Sequence, residues 1–144
     1  MNYKSLTTQR VHIVRWTGPA EVSDLREMLS ELDTFRVRLP ALAIHVSLVP
    51  PGYPPLAPDV RSEILKLTPR LFGVCEAVYN VVEGSGFWAS TMRGVFTGLV
   101  LASGVRGRVF VEGSLAAAAH DMAGRFDVQP EPLLALARQT GIAA

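Results

Sequence analysis

Cysteine is almost missing from this chain: Cys75 is the only one in 144 residues. A single thiol excludes an internal disulfide and any zinc site built from several cysteines. At the start of an apolar strand, Cys75 reads as a buried structural thiol. Charge is sparse as well. Charged residues make up 19% of the chain, and 14 basic against 13 acidic side chains leave a formal net charge of +1. No run of either sign occurs, so the clustered Lys and Arg footprint of a nucleic-acid binder is excluded. The one local basic group, Arg93, Arg106 and Arg108, reads as a solvated helix end and loop.

Long apolar runs are missing too. The most apolar stretch, residues 87–101, is broken by Arg93, Thr97 and two glycines, which excludes a membrane span. The first ten residues lack the apolar core of a signal peptide, so the expected location is cytoplasmic. Catalytic signatures are absent: there is no Lys-Ser/Thr phosphate loop, no third glycine of a dinucleotide fingerprint and no Gly-x-Ser-x-Gly elbow. Nothing in the sequence calls for a metal or a cofactor.

What the chain does have is apolar content, 49% of its residues. One domain of this length buries a single core, and the excess predicts exposed apolar patches or self-association, most simply as a homodimer. The order of elements comes from local patterning. Residues 3–7 and 11–16 read as two strands. Thr17-Gly18-Pro19 is expected to start a helix, with proline near the first helical position. In that helix Val22, Leu25, Met28, Leu29, Leu32 and Phe35 form one apolar stripe, and Asp24, Glu27, Glu31 and Asp33 fall on the presumed solvent face.

Residues 41–49 form a nearly continuous apolar strand, expected to be central and covered on both faces. Residues 50–58 hold five prolines in nine positions and predict a rigid loop, with Tyr53 on an exposed ridge suited to docking. Asp59 is placed to cap a helix in which Val60, Ile64, Leu67 and Leu71 share a face, with Thr68-Pro69 as an early kink or end. Residues 75–112 then read as strand, Gly-Ser-Gly turn, apolar helix and strand, the length of a right-handed βαβ unit. Ser114 opens a short alanine-rich helix to Arg125, and Pro130 or Pro132 starts a last one. Strands alternating with helices predict a single α/β domain with a mixed, mostly parallel sheet of four to five strands and helices packed on it.

The strand, the Gly-Ser loop, the helix with Arg93-Gly94 near its middle, and the last strand with its aromatic Phe110 followed by an alanine-rich helix resemble the bacterial STAS-like group. These are relatives of anti-sigma-factor antagonists. The resemblance runs from about Val11 to Phe126, so that residues 1–126 form the STAS-like domain and 127–144 a helical extension. It implies STAS-like topology and a non-enzymatic regulatory or scaffold role exercised through a protein partner. The phosphoserine segment of the regulated members is not retained: residues 56–62 hold Asp59 but no Ser-Ser-Gly, and Ser62 falls within the first helical turn.

Candidate sites follow from position. Gly84, Ser85 and Gly86, at a strand-to-helix turn, point backbone N–H groups where an anion can sit; the alternative is a tight turn with Ser85 as cap. Phe87, Trp88, Met92 and Phe96, with Val95, Leu99 and Val100, spread over more than one helix face. They are therefore candidates for core first and subunit interface second, together with Tyr53. His45 and Ser47, two apart on a strand, face the same side. Glu83 and Glu112 end strands, where open parallel sheets bind ligands. Beside the favoured interaction role stand a small apolar-ligand or lipid-binding module and, third, a small enzyme using Glu83, Ser85 and Glu112.

Overall fold

The computed structural model describes residues 1–104 and 107–143; Arg106 lies outside the described residues. The chain forms β1 (Tyr3–Thr8), β2 (Val11–Trp16), α1 (Val22–Val37), β3 (Ala43–Val49), α2 (Pro58–Val74), β4 (Cys75–Val82), α3 (Gly86–Ser103), β5 (Val109–Glu112), α4 (Leu115–Arg125) and α5 (Pro130–Gln139). The fold is α/β and a single domain, as the alternation predicts. One five-stranded sheet has the order β1-β2-β3-β4-β5. Both N-terminal strands join it. β1 and β2 pair antiparallel across a tight turn, and every later pair is parallel.

Each crossover moves one strand further in the same direction. Crossovers of one hand then place their helices on one face, and the packing agrees. Val14, Trp16, Val49 and Val82 of the sheet meet Leu25 of α1, Val60 of α2 and Ala89, Met92 and Phe96 of α3. On the opposite face Val46, Leu48, Tyr79 and Val81 pack against Ala118, Ala119 and Met122 of α4 and Leu133 and Ala137 of α5. β3 is buried at all seven positions because it lies between β2 and β4 with helices above and below. That explains its nearly continuous apolar run.

Several local expectations are corrected. α1 does not begin at Pro19 but at Val22, because Asp24 closes a capping box with Glu21. Asp24 Oδ2 accepts the Glu21 N–H at 2.9 Å and the Asn2 amide at 3.1 Å, and Oδ1 accepts the Asn2 backbone N–H at 3.3 Å. Asp24 is thus buried, not on the solvent face. α2 passes through Thr68-Pro69 without ending. The proline's missing donor is accommodated while Thr68 Oγ1 bonds the Ile64 carbonyl at 2.7 Å.

Two of the basic trio, Arg93 and Arg108, are not solvated either. Arg93 donates to the carbonyls of Val82 and Gly84 at 3.0 and 3.2 Å. Arg108 donates to those of Phe72, Cys75 and Glu76 and lies 4.6 Å over the Phe72 ring. Both side chains therefore tie helices to strand ends.

Candidate functional site

Strand register dictates what faces the α1–α3 layer. His12, His45, Val78 and Val109 form one row across β2–β5; Val14, Ser47, Asn80 and Val111 form the next. Polar residues therefore interrupt the two most apolar strands on a single face. Helices α1, α2 and α3 do not seal that face completely. Between them and the sheet lies a cavity of about 130 Å³ whose floor includes His45, Ser47 and Asn80. Its walls are apolar: Trp16 and Val49 from the sheet, Leu25 and Met28 from α1, Ile64 and Leu71 from α2, Phe96 and Leu99 from α3. Leu65, exposed on α2, marks where it reaches solvent. A mostly apolar wall with a few convergent polar groups is the usual anatomy of a small-molecule site.

The polar floor has a defined bonding pattern. Glu31 accepts a hydrogen bond from the Tyr3 hydroxyl through Oε2, and its Oε1 lies 3.3 Å from His12 Nε2. Burial alone would raise the Glu31 carboxyl, but bonds from Tyr3, Ser5 and His12 outweigh it and hold the pKa below its usual value. Glu31 is therefore a carboxylate, and His12 Nε2–H donates to it. Burial lowers the pKa of His12, partly offset by Glu31, and lowers that of His45 much further. Both imidazoles are neutral at physiological pH.

With its proton on Nε2, His12 offers Nδ1 as an acceptor. His45 Nδ1, at 3.1 Å, must donate to it. His45 Nε2 is then a bare lone pair, and among the described residues it is the one buried side-chain nitrogen or oxygen without a partner. His45 is 2% exposed. An orphaned buried acceptor costs about 1–3 kcal/mol. Its neighbours are also underused. Ser47 Oγ accepts the Trp16 indole N–H at 2.8 Å, which leaves the hydroxyl proton free. The Asn80 amide has no hydrogen bond among the described residues.

The residues singled out from sequence scatter around this cavity. Tyr53 does not stand on an exposed ridge. It is 5% exposed, its hydroxyl accepts the Ala20 N–H at 2.7 Å, and its carbonyl accepts the Trp88 indole at 2.8 Å. Tyr53, Trp88 and the prolines thus form a folded corner over one end of the cavity. Met92 and Phe96 are buried within the domain, and Phe87 alone is fully presented to solvent, at 89%.

Gly84 and Gly86 adopt φ of +96° and +82°, which L side chains rarely adopt. Ser85 occupies the N-cap position but makes no side-chain cap bond, so glycine geometry, not a serine cap, makes the turn. Glu83 is engaged by Arg15 at 2.7 Å, and neither it nor Ser85 lines the cleft that holds Glu112. His45 and Ser47 do share a face, but no bond joins them.

The sequence reading missed Asn80, the His12–Glu31 support and the helices that close over His45. The available signal was three polar residues at matching positions in otherwise apolar strands. Among the described residues no three His, Cys, Asp or Glu side chains are placed to hold a metal, and no helix is long and apolar enough to cross a membrane. No family model matches the chain, and neither a curated protein nor a solved structure matches it.

Proposed function

We propose that this domain binds a small, largely apolar molecule in the cavity between its sheet and α1–α3, without catalysis. The observation that carries the reading is an otherwise apolar cavity with His45, Ser47 and Asn80 in its lining. A few polar side chains in the lining of an apolar cavity are what a binding site uses to orient its ligand. A cavity of about 150 Å³ lined by aliphatic and aromatic residues takes up benzene in a well-studied case, so about 130 Å³ suits one small ring or a short branched chain. Benzene should raise the melting temperature of the wild type by several degrees as it approaches saturation. Leu99→Trp, which fills the cavity from α3, should remove that gain. A wild type whose melting temperature and spectra ignore benzene would contradict the reading.

A second reading is favoured by one observation. Phe87, at the start of α3, is 89% exposed, and Leu101, near the other end, 52%. Docking of a protein partner or of a second copy on α3 would cover both, in keeping with the regulatory or scaffold role that the STAS-like resemblance implies. The parallel pairing of β3, β4 and β5 is what that resemblance requires. Phe87→Glu should then weaken self-association or partner binding without unfolding the domain. A wild type that sediments as a monomer at high concentration would count against the self-association form.

A further inference from the structure

We propose that β5 is the contact edge of a homodimer, in which two copies of the chain join β5 to β5 antiparallel into one continuous sheet, with their α3 helices side by side. The inference rests on the α3 docking reading above and names its partner, a second copy of this chain. β5 ends the sheet. Along it runs a cleft lined by Val109 and Val111 from one face, Phe110 and Glu112 from the other, and Thr97 of α3. The two edges of the sheet differ. β1 exposes Lys4 and Ser5, the charged and polar guard usual against edge pairing, whereas β5 offers a half-buried Val-Phe-Val.

Backbone phase fixes what that edge presents. The Arg108 carbonyl accepts the Val78 N–H at 2.8 Å. In the parallel ladder Phe110 therefore turns its backbone groups toward β4, and Val109 and Val111 turn theirs outward. These outward groups have no partner among the described residues. Antiparallel pairing centred on Phe110 sets Val109 opposite Val111 of the second copy, a pair that exchanges both of its N–H···O bonds. The same register sets Glu112, which has no ion pair among the described residues, opposite Arg108 of the second copy. The charges at the two ends of the edge are thus self-complementary.

α3 carries the symmetry above the sheet. Phe87, Ser90, Gly94, Thr97 and Leu101 recur at three and four residues, and all are exposed, as in the seam of a helix pair. The seam is uncharged, because Arg93 is turned to the carbonyls of Val82 and Gly84. It is also symmetric about Gly94, so an antiparallel copy sets Phe87 against Leu101. A Cβ at Gly94 would meet nothing within 4 Å. The domain's own packing therefore does not call for this glycine, which weakens a helix interior and leaves room for a second helix.

The test is sedimentation velocity of the intact protein over a range of concentrations, which should show a dimer. Val111→Pro removes an N–H that bonds only across the dimer, a substitution that an edge strand tolerates. It should raise the dissociation constant at least about tenfold, and Leu101→Glu should do the same. Should Val111→Pro not fold, amide exchange of the wild type gives a second readout. The Val109 and Val111 N–H groups should exchange more slowly at concentrations that form the dimer than in dilute solution. A wild type that stays a monomer at high concentration would overturn the proposal and leave α3 to a different protein. A dimer that Leu101→Glu splits, but in which Val109 and Val111 exchange as fast as in dilute solution, would overturn the sheet pairing and leave the α3 docking reading standing. A dimer that neither variant weakens would overturn both.

Discussion

Acidification from about pH 7.5 to about pH 5.5 should destabilise the fold through two buried imidazoles. His12 and His45 are 1% and 2% exposed, and burial depresses both pKa values below the ordinary 6.5, His45 the more strongly. In the unfolded chain both recover ordinary values and take up protons as the pH falls through 6.5. The folded state then binds fewer protons than the unfolded state, so stability falls with pH. It is fully present above 6.5 and is lost progressively towards the lower folded-state values. Across that interval the loss is about 1 to 3 kcal/mol: the lower figure if His45 alone stays neutral, the upper if His12 does too.

Asp24 and Glu31 do not contribute in this window. Their folded pKa values lie below the ordinary 3.8 and 4.5, so their share is lost only in stronger acid. Urea unfolding at a series of pH values gives the slope directly. His45→Gln should flatten it whatever it does to absolute stability. A wild-type stability that is level between those pH values would refute the claim that these imidazoles are buried and neutral, and with it the assignment of a bare Nε2.

Other consequences are local. Asp24→Ala removes the acceptor shared by Asn2 and the Glu21 N–H and should cost about 1–3 kcal/mol, seen as a lower urea midpoint with an unchanged slope. Arg108→Ala frees three carbonyls at the α2–β4 junction and the face of Phe72. A loss of about 1–3 kcal/mol is expected, with faster amide exchange at Cys75–Ala77. Burial pushes the Cys75 thiol up to about 12, so the native protein should resist iodoacetamide at neutral pH and react only as it unfolds. Rapid labelling of the folded protein would show that the thiol is reachable.

Much of the architecture was legible because it rests on short-range chemistry. The nearly continuous apolar run at 43–49 is the direct sign of a strand covered on both faces, and the Gly-Ser-Gly turn after Val82 separates β4 from its crossover helix. Ser114 caps α4 through the Ala117 N–H at 3.1 Å, as its position predicts. What failed depends on contacts between distant segments. Asp24 and Glu31 look like solvent-facing helix residues until β1 and β2 bring Asn2, Tyr3 and His12 against them.

Tyr53 looks exposed amid its prolines until Ala20 and Trp88 close on it. The cavity is the extreme case. His45 and Ser47 were visibly on one side of a strand. Their meaning needed the register that sets Asn80 beside Ser47 and His12 beside His45, and no spacing within one segment encodes that.

The central claim is that the polar row under α1–α3 exists to hold a ligand. A crystal structure grown with phenol tests it most directly. The ring should lie between Phe96 and the sheet, over the polar residues His45, Ser47 and Asn80. A cavity that holds only water, or that is filled by its own side chains, would contradict the claim.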